Sequence, residues 1–363
     1  MCTVDELLAA RAEINEVDTE MAALFERRMA AVEKVLDYKR AHGLPVLDAG
    51  REAEVLRKGA LRVQDAALRG YYTQLLQKMM ELSRDYQTSR LADFCVGYPG
   101  VEGSFSHIAE QRIFGDAPAR AYVTFEEVFA AVQNGEVTAG VVPFENSYTG
   151  EVGEVLDLLW KYDNCQVVDS YDLDIRQNLL GVPGAELGQI KQVYSHHQAI
   201  SQCQAYLTGK GYELVPYANT ALAAKYVSEC GDKTKAAIAS ADTAALYGLS
   251  ILARDINTSA QNVTRFIVIS RLPRRSGGNR FGLVFTVRHD AGALAQAMQI
   301  IGSRNFNLES IRSRSMKELP WQYFFYVEVV GDSETPEAHQ MLDQLAAACR
   351  QLRLIGSWAR REE

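Results

Sequence analysis

No glycine or proline interrupts the first 42 residues. Within them apolar or small residues return at a seven-residue spacing: Ile14, Val17, Met21, Leu24, Ala31 and Val35, before Gly43 and Pro45. Thr3-Val4-Asp5-Glu6 supplies a capping box at the start. The pattern predicts one helix of roughly 38 residues, about 57 Å long at 1.5 Å per residue. Such a rod cannot bury its apolar stripe within a segment of about 90 residues, even with two shorter helices over 49–63 and 66–88. An interlocked, all-helical dimer is the physical solution, so a homodimer or higher homo-oligomer is expected.

The remainder changes character twice. Over 93–271 short β-branched runs alternate with amphipathic stretches, which predicts an α/β domain with mostly parallel pairing. Then comes Arg274-Arg275-Ser276-Gly277-Gly278-Asn279, a linker-like stretch. Residues 279–360 read strand, helix, strand, strand, helix, strand, the split βαβ or ferredoxin-like order. The expectation is multidomain: all-helical 1–90, two-lobed α/β 93–271, ferredoxin-like α+β 279–360.

Composition excludes several classes. Acidic residues outnumber basic ones 46 to 38, a net charge of −8, and sequence-independent nucleic-acid binding needs a basic footprint. No apolar run approaches 18 residues and the start is not a signal peptide, so no membrane partner is expected. The six cysteines are scattered without a CxxC pair, which reads as a cytoplasmic chain with neither disulfides nor a zinc site. No cofactor or metal motif is present.

In the first segment Arg28 interrupts the apolar stripe, and Lys39, eleven residues on, returns to within about 20° of the same face. Cations aimed into a helical core are either paired, here with Asp48 or Glu52, or face a bound anion. Arg11 and Arg51 add charge, and Ser83 and Gln87 share a face at i, i+4. At this spacing Arg11, Arg28, Lys39, Asp48, Arg51, Glu52, Ser83 and Gln87 resemble the all-helical chorismate mutase domain. The resemblance implies that Arg11 comes from the partner chain and acts with Arg28 and Arg51 on the two carboxylates of chorismate. Lys39 and Gln87 would stabilise the ether oxygen as its bond breaks, and Glu52 with the Asp48 region would take the ring hydroxyl. A pericyclic rearrangement needs restraint and charge stabilisation, with no nucleophile or metal.

Four clusters mark the middle segment: the glycine-rich turn Gly97–Ser106 containing Ser104, the run Val142-Pro143-Phe144-Glu145-Asn146-Ser147, Ser195-His196-His197-Gln198, and Asn262-Val263-Thr264-Arg265-Phe266. Together they resemble the prephenate dehydratase domain, which implies two α/β lobes, as in periplasmic-type binding proteins, with the site between them. Thr264 would donate or relay a hydrogen bond to the departing hydroxyl. Glu145, Asn146, Ser147, Gln198, Arg265, Ser104, Ser195 and Phe266 would be its partners or bind substrate. Two positions depart from that family: His197 stands where proline is usual, and Gln177 where many members have histidine. Because the segment is acidic, local arginines are expected to dominate the cleft.

The last segment carries Gly292-Ala293-Leu294 at a helix start and Arg312-Ser313-Arg314-Ser315 on a strand, resembling an ACT regulatory domain. The regulatory residues would be Gly292, Ala293, Leu294, Ser313 and Arg314, with L-phenylalanine as effector. Arg312 and Ser315 replace that family's glutamate and proline. The three resemblances together imply the bifunctional chorismate mutase–prephenate dehydratase family, which makes phenylpyruvate from chorismate through prephenate. The alternatives are arogenate dehydratase activity and a catalytically silent, ligand-responsive binding protein.

Overall fold

The computed structural model describes residues 4–42, 49–91, 94–259, 261–273, 278–316 and 321–359. The chain divides into two compact units, Met1–Asp93 and Phe94–Glu363. Thr3 of the expected capping box and residues 274–277 of the expected linker lie outside the described residues. Among the described residues no helix is long and apolar enough to cross a membrane.

The first unit is helical throughout: α1 (Val4–His42), α2 (Ala49–Ala60) and α3 (Arg69–Leu91). With no breaker to stop it, α1 runs for 39 residues. Leu36 on α1 and Leu76 and Met80 on α3 are buried. By contrast Val4, Leu7, Leu8, Ile14, Val17, Met21 and Leu24 remain 47–74% exposed. One chain therefore leaves the apolar stripe of α1 open.

In the second unit, β1 (Val96–Pro99), α4 (Phe105–Phe114), β2 (Ala119–Tyr122), α5 (Phe125–Asn134), β3 (Ala139–Asn146), β4 (Gly150–Glu151), α6 (Gly153–Lys161) and β5 (Gln166–Asp174) come first. The chain then builds a second sheet from β6 (Asn178–Gly181), β7 (Gln192–Ser195), β8 (Glu213–Pro216), β9 (Lys235–Ala239) and β10 (Ser250–Ala253), in the order β10-β6-β9-β7-β8. Between these strands lie α7 (His197–Gln202), α8 (Gln204–Leu207), α9 (Thr220–Cys230) and α10 (Ala241–Leu246). β11 (Val263–Ser270) returns to the first sheet.

The pairing is mixed, not mostly parallel as expected. β1 is parallel to β2 and β3, but β11 is antiparallel to both β3 and β5. The reason is topological: β5 leads out to the second sheet and β11 leads back, so neighbouring strands carry opposite directions. Ile175 and Gln177 on the outgoing crossing are tied to Asn257 on the returning one. The Asn257 side chain accepts from Gln177 N at 2.7 Å and donates to Ile175 O at 2.9 Å.

The last elements are β12 (Arg280–Thr286), α11 (Ala293–Ser303), β13 (Asn307–Ser315), β14 (Tyr323–Val330), α12 (Pro336–Ala348) and β15 (Gln351–Trp358). Their order β13-β14-β12-β15 is the split βαβ arrangement. One face of these strands, Phe281, Leu283, Phe285 and Val327, packs under Ile301 of α11 and Met341 and Leu345 of α12. The other face, including Phe324 and Tyr326, shares a core with Phe144, Val155 and Leu159. Phe144 meets Tyr326 edge-on at 5.4 Å and Trp160 stacks on Phe324 at 4.9 Å.

At the seam β15 meets β5 through Gly356 and Val167. Gly356 has φ 141°, and a Cβ there would fall on the Val167 backbone. Neither the conformation nor the space admits a side chain. Gly356→Ala should therefore cost about 2 kcal/mol and lower the thermal midpoint of the second unit by about 4 °C or more. An unchanged midpoint would show that the seam yields freely.

Candidate active sites

In the first unit a small cavity of about 150 Å³ gathers Arg28, Arg51, Glu52, Ser83, Arg84 and Gln87. Arg28 Nη1 donates to Ser83 Oγ and, at 3.4 Å, to Met79 O. Glu52 is paired not with Arg28 but with Arg84, whose Nη1 lies 2.6 and 2.5 Å from its two carboxylate oxygens. Gln87 Nε2 donates to Ser83 O at 3.1 Å, and its Oε1 is buried without a hydrogen-bond partner. Arg51 reaches Glu54 at 2.7 Å and keeps a largely exposed side chain. Arg11 is exposed on α1, outside the lining. Lys39 belongs to α1, but its side chain and the whole of Asp48 lie outside the described residues. Arg84 went unanticipated, although its i, i+3 spacing to Gln87 puts it on the same face of α3.

In the second unit a cleft of about 530 Å³ opens between the two sheets. Its floor comes from β3 and β11. These strands pair Asn146 with Thr264 and Glu145 with Arg265, then a bulge skips Phe144 so that Phe266 faces Pro143. Side chains alternate along a strand. Asn146, Thr264, Pro143 and Phe266 therefore line the cleft, while Glu145, Arg265 and Phe144 point to the back of the sheet.

Asn146 organises this floor. Its Nδ2 donates to Thr264 Oγ1 and to Asn262 Oδ1, each at 2.8 Å. Its Oδ1 accepts from the backbone N–H of Tyr148 and of Thr149, each at 3.0 Å. Thr149 Oγ1 accepts from Gln198 Nε2 at 2.9 Å, which links β3 to α7 on the second sheet's side. Gln177 also lines the cleft, 2% exposed and with Oε1 unpartnered, so a ligand donor would complete it.

Two helix starts face the same space. Ser104 caps α4, its Oγ accepting from His107 N, and Gly100 and Gly103 adopt positive φ to make the turn. Asn219 caps α9, accepting from Leu222 N at 2.7 Å. Ser104, Ser106, Asn219 and Thr220 all belong to the lining. Exposed N–H groups at such ends favour carboxylates. Burial, and secondarily His197, depress the pKa of His196, so this lining imidazole is neutral at pH 7.

Several expected site residues are elsewhere. Among the described residues no arginine or lysine lines the cleft, contrary to the expectation that local arginines dominate it. Arg265 is held behind the sheet by Asp172 at 3.2 Å and Glu328 at 3.4 Å. Glu145 pairs there with Arg312 at 2.5 Å. Ser195 is fully buried and donates to Ile238 O at 2.7 Å, a structural bond within the second sheet. Ser147 Oγ accepts from Val263 N and donates to Gln261 O, fastening the turn after β3. His197 is exposed and outside the lining. Arg314 donates to Asp157 at 2.9 and 3.0 Å, beside Gly153, where no side chain would fit, and both it and Asp157 line a separate cavity of about 610 Å³. Ser313 falls on the opposite face of β13, and Gly292, at φ 86°, begins α11 with no side-chain cap, followed by Ala293 and Leu294.

Comparison with known proteins accords with this geometry. The Prephenate dehydratase family matches residues 96–274, and Chorismate mutase type II matches 10–88. A "Bifunctional chorismate mutase/prephenate dehydratase" of Buchnera aphidicola is 29% identical over 98% of this chain and 96% of its own length. "Arogenate dehydratase/prephenate dehydratase 2, chloroplastic" of Arabidopsis thaliana is 32% identical over 72% of each. Among solved structures, the Arthrobacter aurescens prephenate dehydratase in complex with L-Phe superposes with a TM-score of 0.68. It is 30% identical, over 73% of this chain and 90% of that one. A protein described as a novel type of quorum quenching acylase, GqqA, also has a TM-score of 0.68, at 28% identity over 74% of this chain and 98% of that one. The chain belongs to the prephenate dehydratase family, in the bifunctional form that carries a type II chorismate mutase domain ahead of the dehydratase.

Proposed function

We propose that this chain rearranges chorismate to prephenate in its first unit and converts prephenate to phenylpyruvate in its second. The observation that carries the dehydratase reading is the hydrogen bond from Asn146 Nδ2 to Thr264 Oγ1. Because that bond occupies a lone pair of the threonine, its own O–H is left to donate into the cleft. In the reaction the bond to the ring carboxylate breaks to release carbon dioxide, its electron pair aromatises the ring, and the ring hydroxide leaves as water on taking a proton. Thr264 would donate to the departing oxygen and relay that proton from solvent. Two carboxylates are then held by the N–H groups at the starts of α4 and α9 rather than by cations. Gln177 would accept the ring hydroxyl while Phe266 and Pro143 wall the ring.

In the mutase cavity Arg28 would take a carboxylate and Gln87 the ether oxygen, with Lys39 and Asp48 carried over from the family resemblance alone. About 150 Å³ is small beside the ~300 Å³ of ordinary ligand pockets. A second copy laid on the exposed stripe of α1 would enlarge and close the site and supply Arg11, which supports a homodimer. Residues 94–271 read as two lobes of the periplasmic-binding type, and 279–358 as an ACT sensor. Feedback by L-phenylalanine is part of this reading: the start of α11 at Gly292-Ala293-Leu294, which has no side-chain cap, would take its carboxylate, with Ser313 and Arg314 carried over from the family resemblance alone.

Incubating the full chain with chorismate and identifying products tests both steps, and prephenate beside arogenate tests the alternative dehydratase substrate. A catalytically silent binding protein would return chorismate unchanged. Thr264→Val keeps shape but removes the hydroxyl, so dehydratase turnover should fall at least ~100-fold while prephenate accumulates from chorismate. Normal phenylpyruvate formation by this variant would eliminate the donor role. Arg28→Ala should lower mutase kcat/KM by about 10- to 100-fold, the worth of a charge-assisted hydrogen bond, and leave turnover of supplied prephenate intact. Equal loss of both activities would mean that Arg28 supports the fold instead.

A further inference from the structure

Behind the cleft, the hairpin that carries Asn146 and Thr149 has an electrostatic problem. β3 and β4 place Glu145 directly opposite Glu151. Like charges in direct cross-strand register destabilise a pair of strands, and β4 is only two residues long. Left alone, β4 would tend to part from β3, carrying the turn with Thr149 out of the active site.

The counter-charge comes from a distant part of the chain. A bulge at Glu309 shifts the register of β13 on β14, so that Arg312 lies opposite Tyr326 and Arg314 opposite Phe324, on the face turned toward the dehydratase core. Arg312 Nη2 donates to Glu145 Oε1 at 2.5 Å, and its Nε stands 3.4 Å from Glu151 Oε2, a charge contact without hydrogen-bond geometry. The side chain of Arg312 is 19% exposed, and those of Glu145 and Glu151 are 31% and 32% exposed. The group is therefore shielded beyond an ordinary surface pair. Of the neighbouring guanidiniums, Arg265 is engaged by Asp172 and Glu328, and Arg314, held by Asp157, also comes within 3.6 Å of Glu151, so Arg312 alone of the three forms ion pairs with both glutamates.

We propose that Arg312 is a positioning residue for the dehydratase reaction: by bridging Glu145 and Glu151 it holds β4 on β3 and keeps the turn between them, with Thr149, in the cleft. The proposal rests on the dehydratase reading of that cleft. It assigns Glu145 a role behind the sheet, as one pole of the clamp. It also makes β13, the strand that bears Ser313, a direct mechanical neighbour of the active site.

Substrate that binds only the closed hairpin sees its affinity divided by the closed fraction, whereas turnover of the bound complex is unchanged. In the full-length protein, Arg312→Gln should raise the dehydratase KM for prephenate about fivefold and leave kcat within about twofold. Arg312→Lys should restore part of the loss. Adding Glu151→Gln to Arg312→Gln removes the repulsion itself and should return KM to near the wild-type value, a rescue that general damage to the fold would not permit. Mutase turnover, housed in the other unit, controls for active protein. Hydrogen exchange over 145–151 reads the hairpin without reference to activity: faster exchange in Arg312→Gln, reversed in the double variant, is expected. An unchanged KM with unchanged exchange, or a defect that persists in the double variant, overturns the clamp. A wild-type chain inert toward prephenate would instead overturn the dehydratase reading, leaving the exchange measurement to decide the clamp.

Discussion

The side-chain amide of Asn146 is the interaction on which the second unit's site depends. Its nitrogen fastens β3 to β11 through Thr264 and Asn262, and its oxygen gathers the N–H groups of Tyr148 and Thr149. One side chain thereby fixes the strand pair, shapes the turn, and orients the hydroxyl proposed to meet the leaving group. Asparagine suits the position because it offers donors and acceptors together and carries no charge. A carboxylate there could not donate to Thr264.

The two faces of the β3–β11 pair divide the electrostatics. Among the described residues the cleft face carries polar and apolar side chains but no charged one, the His196 imidazole being neutral; the back face holds the ion pairs of Glu145, Arg265 and Arg312. In the proposed function this arrangement is what allows an acidic chain to receive a dianion. Backbone N–H groups at helix starts carry no counter-charge to be neutralised elsewhere, and they are held rigidly by the caps at Ser104 and Asn219. The cavity of the first unit differs: it holds Arg28 together with the Arg84–Glu52 ion pair, inside a helical unit whose charges nearly balance.

Much of this was legible in the sequence. An unbroken seven-residue pattern marks α1 to within a residue or two, because nothing competes with a helix there. The strands bearing Asn146 and Thr264 are legible from β-branched runs, and the split βαβ order from alternating periodicity. Pairing direction was not, since it is set by β5 and β11 crossing between sheets, a long-range choice. The facing of Glu145 and Arg265 was misjudged for a simpler reason: neighbours on a strand point to opposite faces, so Asn146 and Glu145 cannot both enter the cleft. Applying that rule to the motifs would have excluded Glu145 and Arg265. It would not have revealed the bulge at Phe144, which lets Pro143 and Asn146 share a face, or the bulge at Glu309, which turns Arg312 inward.

The central claim is that Asn146 and Thr264 act as one catalytic unit, and a double-mutant cycle measures this directly. Dehydratase turnover would be compared among the wild type, Asn146→Ala, Thr264→Val and the double variant, with mutase turnover normalising for active protein. If the asparagine works by orienting the threonine hydroxyl, the double variant loses no more than the more damaged of the two single variants. Losses that multiply, each substitution costing its full factor in the presence of the other, would contradict the account.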